Sequence, residues 1–89
     1  MRERLLAALT AVAHGLMGED PVEAARAAGV LRRHDPYDAS YLRLHLTALG
    51  AAGLEATLAD EYGRARRAMA EVGEDLPASP AEFLGPAPG

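Results

Sequence analysis

Breaks that contain glycine or proline divide this 89-residue chain into four segments, and each segment repeats apolar residues at intervals of three or four. That spacing is typical of amphipathic helices with one buried side. The breaks fall near Gly18, between His34 and Asp38, at Gly53 and after Gly73. We therefore predict an all-α fold with four helices. The first covers about residues 2–16, the second begins at Asp20 and ends at the central break, the third follows that break and runs to about residue 52, and the fourth covers about residues 54–72.

Composition and loop length extend this prediction to a topology. Hydrophobic residues make up 49% of the chain, but aromatic residues make up only 4%, which favours close helix packing over a sheet. The loops between consecutive helices are short, and short loops make neighbouring helices antiparallel. The sequence predicts two antiparallel helical hairpins in one domain, residues 1–85, followed by a disordered tail, residues 86–89.

The apolar positions predict which side of each helix is buried. The second helix offers mainly alanine on its inner side, and small residues allow close approach, so we place this helix between the first and the third. The expected core positions are Leu5, Leu6, Leu9, Val12, Ala13 and Leu16; Ala24, Ala27, Ala28 and Leu31; Tyr41, Leu42, His45, Ala48, Leu49 and Ala52; and Leu54, Leu58, Tyr62, Ala65, Met69 and Val72.

Capping signals mark where helices begin. Asp20 precedes Pro21, an arrangement typical of a helix start, and either Asp35 or Asp38 can cap the third helix. Near the end of the chain, the segment from Ser79 to Glu82 repeats the capping pattern. We expect one further helical turn there, with Phe83 and Leu84 docked on the bundle.

Several classes of function are disfavoured by the sequence. The net charge of −4 argues against direct binding of nucleic acid, and the chain has no cysteine. The three histidines lie on separate segments without a metal-binding spacing, and we find no phosphate-binding loop. We therefore expect no enzymatic activity, no cofactor and no metal. No apolar stretch is long enough for a membrane span and no signal peptide is evident, so we expect a cytoplasmic location.

Two hairpins of this size suggest a tetratricopeptide-like fold, and the interval of twelve residues from Ala24 to Pro36 matches the spacing of that repeat. The second half carries a more specific pattern. It comprises Asp35-Pro36-Tyr37-Asp38, Leu42-Arg43-Leu44, residues 48–53, Tyr62, Arg64, Arg66-Arg67, Met69-Ala70-Glu71, and Pro77 with Ser79-Pro80. In order and spacing the chain resembles the bacterial transcriptional activator domain, which follows the winged helix in Streptomyces antibiotic regulatory proteins and related regulators.

The resemblance implies a non-enzymatic protein–protein interaction domain of a bacterial transcriptional regulator. The implied partners are a preceding regulator domain, a second subunit, as in a homodimer, or the transcription machinery. The chain departs from the family pattern at His45, where an aliphatic residue is usual, and at Gly63 inside the long helix. It also lacks the winged helix, so it is either a fragment or a small stand-alone relative. The alternative function is a tetratricopeptide-like adaptor or helical scaffold unrelated to transcription.

The candidate partner-binding residues lie on the third helix, opposite its predicted buried side. By the resemblance, the first helix of each hairpin lines a concave surface, which assigns to partner binding Ser40, Arg43, Leu44 and Thr47. A plain solvent-exposed side is the other interpretation. On the first helix, Ala7, Ala11 and His14 form a side that another helix could approach closely. For His45, one interpretation is a boundary residue hydrogen-bonded to a neighbour, and the other is a pH-sensitive contact.

Overall fold

The computed structural model describes residues 2–85, with side chains from Arg4 onward, and this part of the chain contains helices and no strand. The helices are α1 (Arg2–Leu16), α2 (Pro21–His34), α3 (Ala39–Ala51), α4 (Glu55–Glu71) and α5 (Pro80–Leu84). The predicted all-α class is confirmed, and the four predicted helices and the extra C-terminal turn are all present. The predicted tail, residues 86–89, lies outside the described residues.

Side-chain caps start three of the helices. The carboxylate of Asp20 accepts a hydrogen bond from the Glu23 amide at 3.2 Å, and the hydroxyl of Ser79 accepts one from the Glu82 amide at 3.2 Å. Of the two candidate caps for α3, Asp38 is the one that acts, because its carboxylate accepts the amides of Ser40 and Tyr41. Each cap satisfies an amide that the helix itself leaves without a partner.

The turn between α3 and α4 depends on the backbone freedom of one glycine. Gly53 has a φ of +76°, in the left-handed region that other residues avoid. This conformation lets the amide of Leu54 donate back to the Leu49 carbonyl at 2.9 Å, which closes the end of α3. The chain then enters α4 at Glu55, so only three residues, 52–54, separate the end of α3 from the start of the next helix.

Helix α2 lies between α1 and α3, as the alanine positions predict. Its residues Ala24, Ala25 and Ala28 are buried, and the absence of larger side chains there lets the helix axes approach closely. Helix α3 also packs against α4, and α5 lies against both α3 and α4. The result is a chain of consecutive helix–helix contacts in which α3 touches each of the other four.

The core consists of two clusters of buried side chains. The larger joins α2, α3, α4 and α5 and comprises Ala24, Ala25, Leu42, Leu46, Ala48, Leu49, Leu58, Tyr62, Ala65 and Phe83. The smaller joins α1, α2 and α3 and comprises Ala13, Ala28, Leu31 and Leu44. Phe83 is buried as predicted, and its ring lies 5.6 Å from that of Tyr62, whose hydroxyl donates to the carbonyl of Pro77. These contacts hold α5 and its connecting segment onto the bundle.

Some of the predicted core positions are wrong. Four large apolar residues of the predicted stripes are substantially exposed, namely Leu5 (62%), Val12 (49%), Leu54 (41%) and Val72 (52%). Conversely, Leu44 and Leu46 are buried although they fall outside the predicted stripe of α3. The reason is the number of neighbours: α1 packs mainly against α2, so it buries one narrow side, whereas α3 is covered from several directions. Leu54 and Val72 flank the ends of α4, outside its packed middle.

Two of the leucines that the sequence misplaces, Leu46 and Leu54, provide a test of this packing. Leu46→Ala removes methyl groups from a fully buried site and should lower the free energy of unfolding by about 2–5 kcal/mol. Leu54→Ala makes the same chemical change at an exposed site and should lower it by less than about 1 kcal/mol. Urea denaturation measures both. Equal losses would show that α3 is not covered on the Leu46 side.

Gly63 provides a second test, because it lies inside α4 with open space where a Cβ would be. Gly63→Ala should raise the free energy of unfolding by about 0.5–1 kcal/mol, since alanine restricts the unfolded chain and favours the helix. The matched control is Gly53→Ala, where the left-handed backbone makes the same substitution cost about 1–2 kcal/mol. Thermal melts of the two variants should therefore shift in opposite directions. A Gly63→Ala variant that melts below the parent would contradict the helical packing described for α4.

Candidate functional site: a groove between α1 and α3

A groove of about 360 Å³ runs between α1 and α3. It forms because both helices pack on α2 but make few contacts with each other, so the surface between them stays open. All four predicted partner-binding residues line it. The complete lining comprises Thr10, His14 and Met17 from the α1 side, and Ser40, Tyr41, Arg43, Leu44 and Thr47 from α3.

The sequence predicts that Leu44 lies on an exposed side of α3, and this prediction is wrong. It is only 6% exposed and belongs to the smaller core cluster, together with Ala13, Ala28 and Leu31. The prediction is wrong because α1 and α2 cover this side of α3, which a helical wheel of α3 alone cannot show. Leu44 instead contributes apolar surface at the base of the groove.

Arg43 has a structural role that the sequence analysis missed. Its guanidinium donates hydrogen bonds to the carbonyls of Phe83, at 2.9 Å, and Leu84, at 3.0 Å, and lies 5.0 Å from the centre of the Phe83 ring. These carbonyls are at the C-terminal end of α5, where a cation is favoured by the helix dipole. Arg43 therefore fastens α5 to α3. The carbonyls carry no formal charge, so its positive charge is not neutralised by these bonds.

The hydroxyl groups of the other two predicted residues are also engaged within the chain. Ser40 donates to the carboxylate of Asp38 in the cap of α3, and Thr47 donates to the carbonyl of Arg43 one turn earlier, at 2.7 Å. Ser40 and Thr47 are exposed, as predicted for this side of α3. The α3 side of the groove thus offers apolar surface, the Tyr41 side chain and one cation, and the hydroxyl protons of Ser40 and Thr47 are already used.

The α1 side of the groove was only partly anticipated. His14 was predicted on the approachable side of α1 with Ala7 and Ala11, and all three are exposed. Thr10 and Met17 were not predicted, although they lie one turn before and three residues after His14 and so share its side of the helix. Sequence periodicity alone could have grouped them. It could not show that this side of α1 faces α3.

A second polar cluster joins three helices. Nη1 of Arg32, on α2, donates to Oε2 of Glu61, on α4, at 2.8 Å, and lies 3.2 Å from Nδ1 of His45, on α3. The Arg32 side chain is 13% exposed and that of Glu61 26%, so the ion pair is well shielded from water. Because Arg32 is a donor, Nδ1 of His45 must be the acceptor and the ring must be neutral. The predicted hydrogen bond of His45 to a neighbour is confirmed.

The pKa of His45 is lowered from its ordinary value of 6.5, first by burial and then by the positive charge of Arg32, while Glu61 acts in the opposite direction. A lowered pKa means that the folded state holds a proton on His45 less readily than the unfolded state does. The contribution of neutral His45 to the stability of the folded state is therefore complete above about pH 6.5. It is lost as the pH falls from there through the pKa of the folded state.

Replacement of His45 tests this pH dependence. His45→Asn supplies an amide oxygen near the position of Nδ1 but cannot take up a proton, so its free energy of unfolding should fall less between pH 7.5 and pH 5.5 than that of the parent. Urea denaturation at each pH measures the difference. The control is His14→Asn, at an exposed histidine, which should retain the pH dependence of the parent. If His45→Asn also retains it, the Arg32–His45 contact does not determine the pH response.

Comparison of the chain with models of protein families, with curated proteins and with solved structures finds no match. Among the described side chains, residues 4–85, no three histidine or acidic groups come together as a metal ion would require. None of the described helices combines the length and apolar character needed to cross a membrane. The geometry of the α1–α3 groove is therefore the observation on which a functional proposal depends.

Proposed function

We propose that this chain is a non-enzymatic protein-interaction domain of a bacterial transcriptional regulator, and that the α1–α3 groove is its partner-binding surface. The single observation that carries the proposal is the groove itself, because it collects on one surface all four residues assigned to partner binding from the sequence. Its base is apolar and its rim is polar, which is the usual composition of a protein-binding site.

The order of helix contacts supports a tetratricopeptide-like arrangement of two hairpins. Helix α1 packs on α2, α3 packs on α4, and α2 joins the two pairs. The first helices of the two pairs, α1 and α3, line the same groove. In this proposal α5 lies at the end of the two hairpins, where it covers a side of α3 and α4 that no other described helix covers.

The proposed partners are a DNA-binding domain of the regulator, a second subunit or the transcription machinery, in the bacterial cytoplasm. The motifs of the second half, from Asp35 to Pro80, favour this class over a general adaptor because they resemble those of the bacterial transcriptional activator domain. The domain would contribute no base contacts. Its role is to position a DNA reader or to transmit its state through protein contacts.

Site-specific photocrosslinking tests the proposal. A photoreactive phenylalanine analogue at Thr47, in the groove, should crosslink in the source bacterium to a winged-helix protein, to a second copy of the same regulator or to a subunit of RNA polymerase. The matched control is the same analogue at Thr57, an exposed threonine on α4. Mass spectrometry identifies the products.

Two results would contradict the proposal. Equal crosslinking from Thr47 and Thr57 would mean that the groove is not the binding surface. Products from Thr47 that have no connection with transcription would favour the stand-alone adaptor instead.

A further inference from the structure

We infer that the occupant of the α1–α3 groove is an amphipathic α-helix whose polar flank is acidic. This inference rests on the proposed function, since it names the chemistry of the partner at the same site. Three properties of the groove carry it: the hydrogen-bonding state of its walls, the position of its apolar surface, and the signs of the charges along its lining.

The walls of the groove disfavour an extended peptide. An extended chain has a row of backbone amides and carbonyls that need partners, usually a strand edge. Here both walls are helices, whose backbone groups are paired internally. The hydroxyls of Ser40 and Thr47 and the guanidinium of Arg43 already donate within the chain. A helical ligand leaves no backbone groups unpaired in such a groove, because its amides and carbonyls are hydrogen-bonded to each other.

The apolar surface of the groove matches one side of a helix. Leu44 forms the base, with Met17 and Tyr41 partly buried beside it, between the ridges of α1 and α3. Side chains at positions i, i+3 or i+4, and i+7 of a ligand helix project on one side and can follow such a channel. The ligand helix would then pack on α1 and α3 from the side opposite α2.

The charges favour an acidic flank. Among the described lining residues the ionisable side chains are Arg43, Tyr41 and His14, and none is a carboxylate. The nearby carboxylate of Asp38 is held by the amides at the start of α3. The surplus of acidic residues follows Gly53, whereas residues 1–52 contain six acidic residues and six arginines. An acidic ligand is therefore repelled less on the α1–α3 side than on the α4 side.

Designed peptides test the inference on the full chain. The probe is a fluorescein-labelled 16-residue helix with leucine at i, i+4, i+7 and i+11 and glutamate along one flank. The first control replaces each glutamate with lysine, and the second keeps the leucines and glutamates but carries two prolines at other positions, which prevent a helix. Fluorescence anisotropy should give an affinity for the glutamate peptide at least about tenfold higher than for either control.

Two variants with the same substitution locate the binding site. His14→Glu places a carboxylate in the groove and should weaken binding of the glutamate peptide by about tenfold, whereas His34→Glu, at the exposed end of α2, should change it by less than about twofold. Thr47→Trp, which fills the groove with a larger uncharged side chain, should weaken all the peptides that bind there. Circular dichroism of each variant confirms that the fold is retained.

The outcomes separate this inference from the proposed function. Equal affinity for the glutamate and lysine peptides overturns the acidic flank, and equal affinity for the proline peptide overturns the helix. Self-association of the chain that Thr47→Trp abolishes would make a second copy the occupant and would also overturn the inference. In each case the crosslinks from Thr47 to transcription proteins can still stand. Conversely, a clear preference for the glutamate helix without those crosslinks would sustain the inference and remove the proposed function.

Discussion

The packing of α3 against every other helix is the constraint on which the rest of this structure depends. Leu42 and Leu46 are almost completely buried, and Leu44 on the next side of the helix is buried as well. A helix can bury several sides only if its neighbours approach from several directions, and the alanines of α2 make the closest of these approaches possible. The groove, the docking of α5 and the Arg32 cluster all follow from the central position of α3.

Arg43 connects the candidate site to the end of the described chain. Arg43 lines the groove, and its guanidinium holds the last carbonyls of α5 and covers the Phe83 ring. Since α5 has only five residues, it would not be stable as an isolated helix. Its position depends on Arg43, on the burial of Phe83 and on the hydrogen bond from Tyr62 to Pro77. The groove and the C-terminal turn are therefore parts of one packed unit.

The Arg32 cluster links helices whose backbones are not in close contact. The backbones of α2 and α4 do not approach each other closely in the described structure, yet the ion pair from Arg32 to Glu61 joins the two helices beside His45 on α3. Removing one member of such a shielded cluster leaves the others without compensation, so its cost exceeds that of a surface ion pair. The histidine at this position is explained by its role as the acceptor for Arg32.

The sequence by itself determined the helical class, the helix boundaries and most caps, because these depend on residues close together in the chain. Asp20, Asp38 and Ser79 act within three positions of the amides they bind. It also placed α2 between α1 and α3. Only the tertiary structure decided which sides of α1 and α3 are buried, since burial depends on neighbours that a helical wheel does not contain.

The candidate site shows the same division. The periodicity of α3 was sufficient to group Ser40 and Thr47 on one exposed side, but Leu44 is covered and Arg43 binds α5, forty residues later in the chain. The contributions of Thr10 and Met17 required the approach of α1 to α3. A groove is formed by two surfaces, and the distance between surfaces that are remote in sequence is determined by the packing of the whole core.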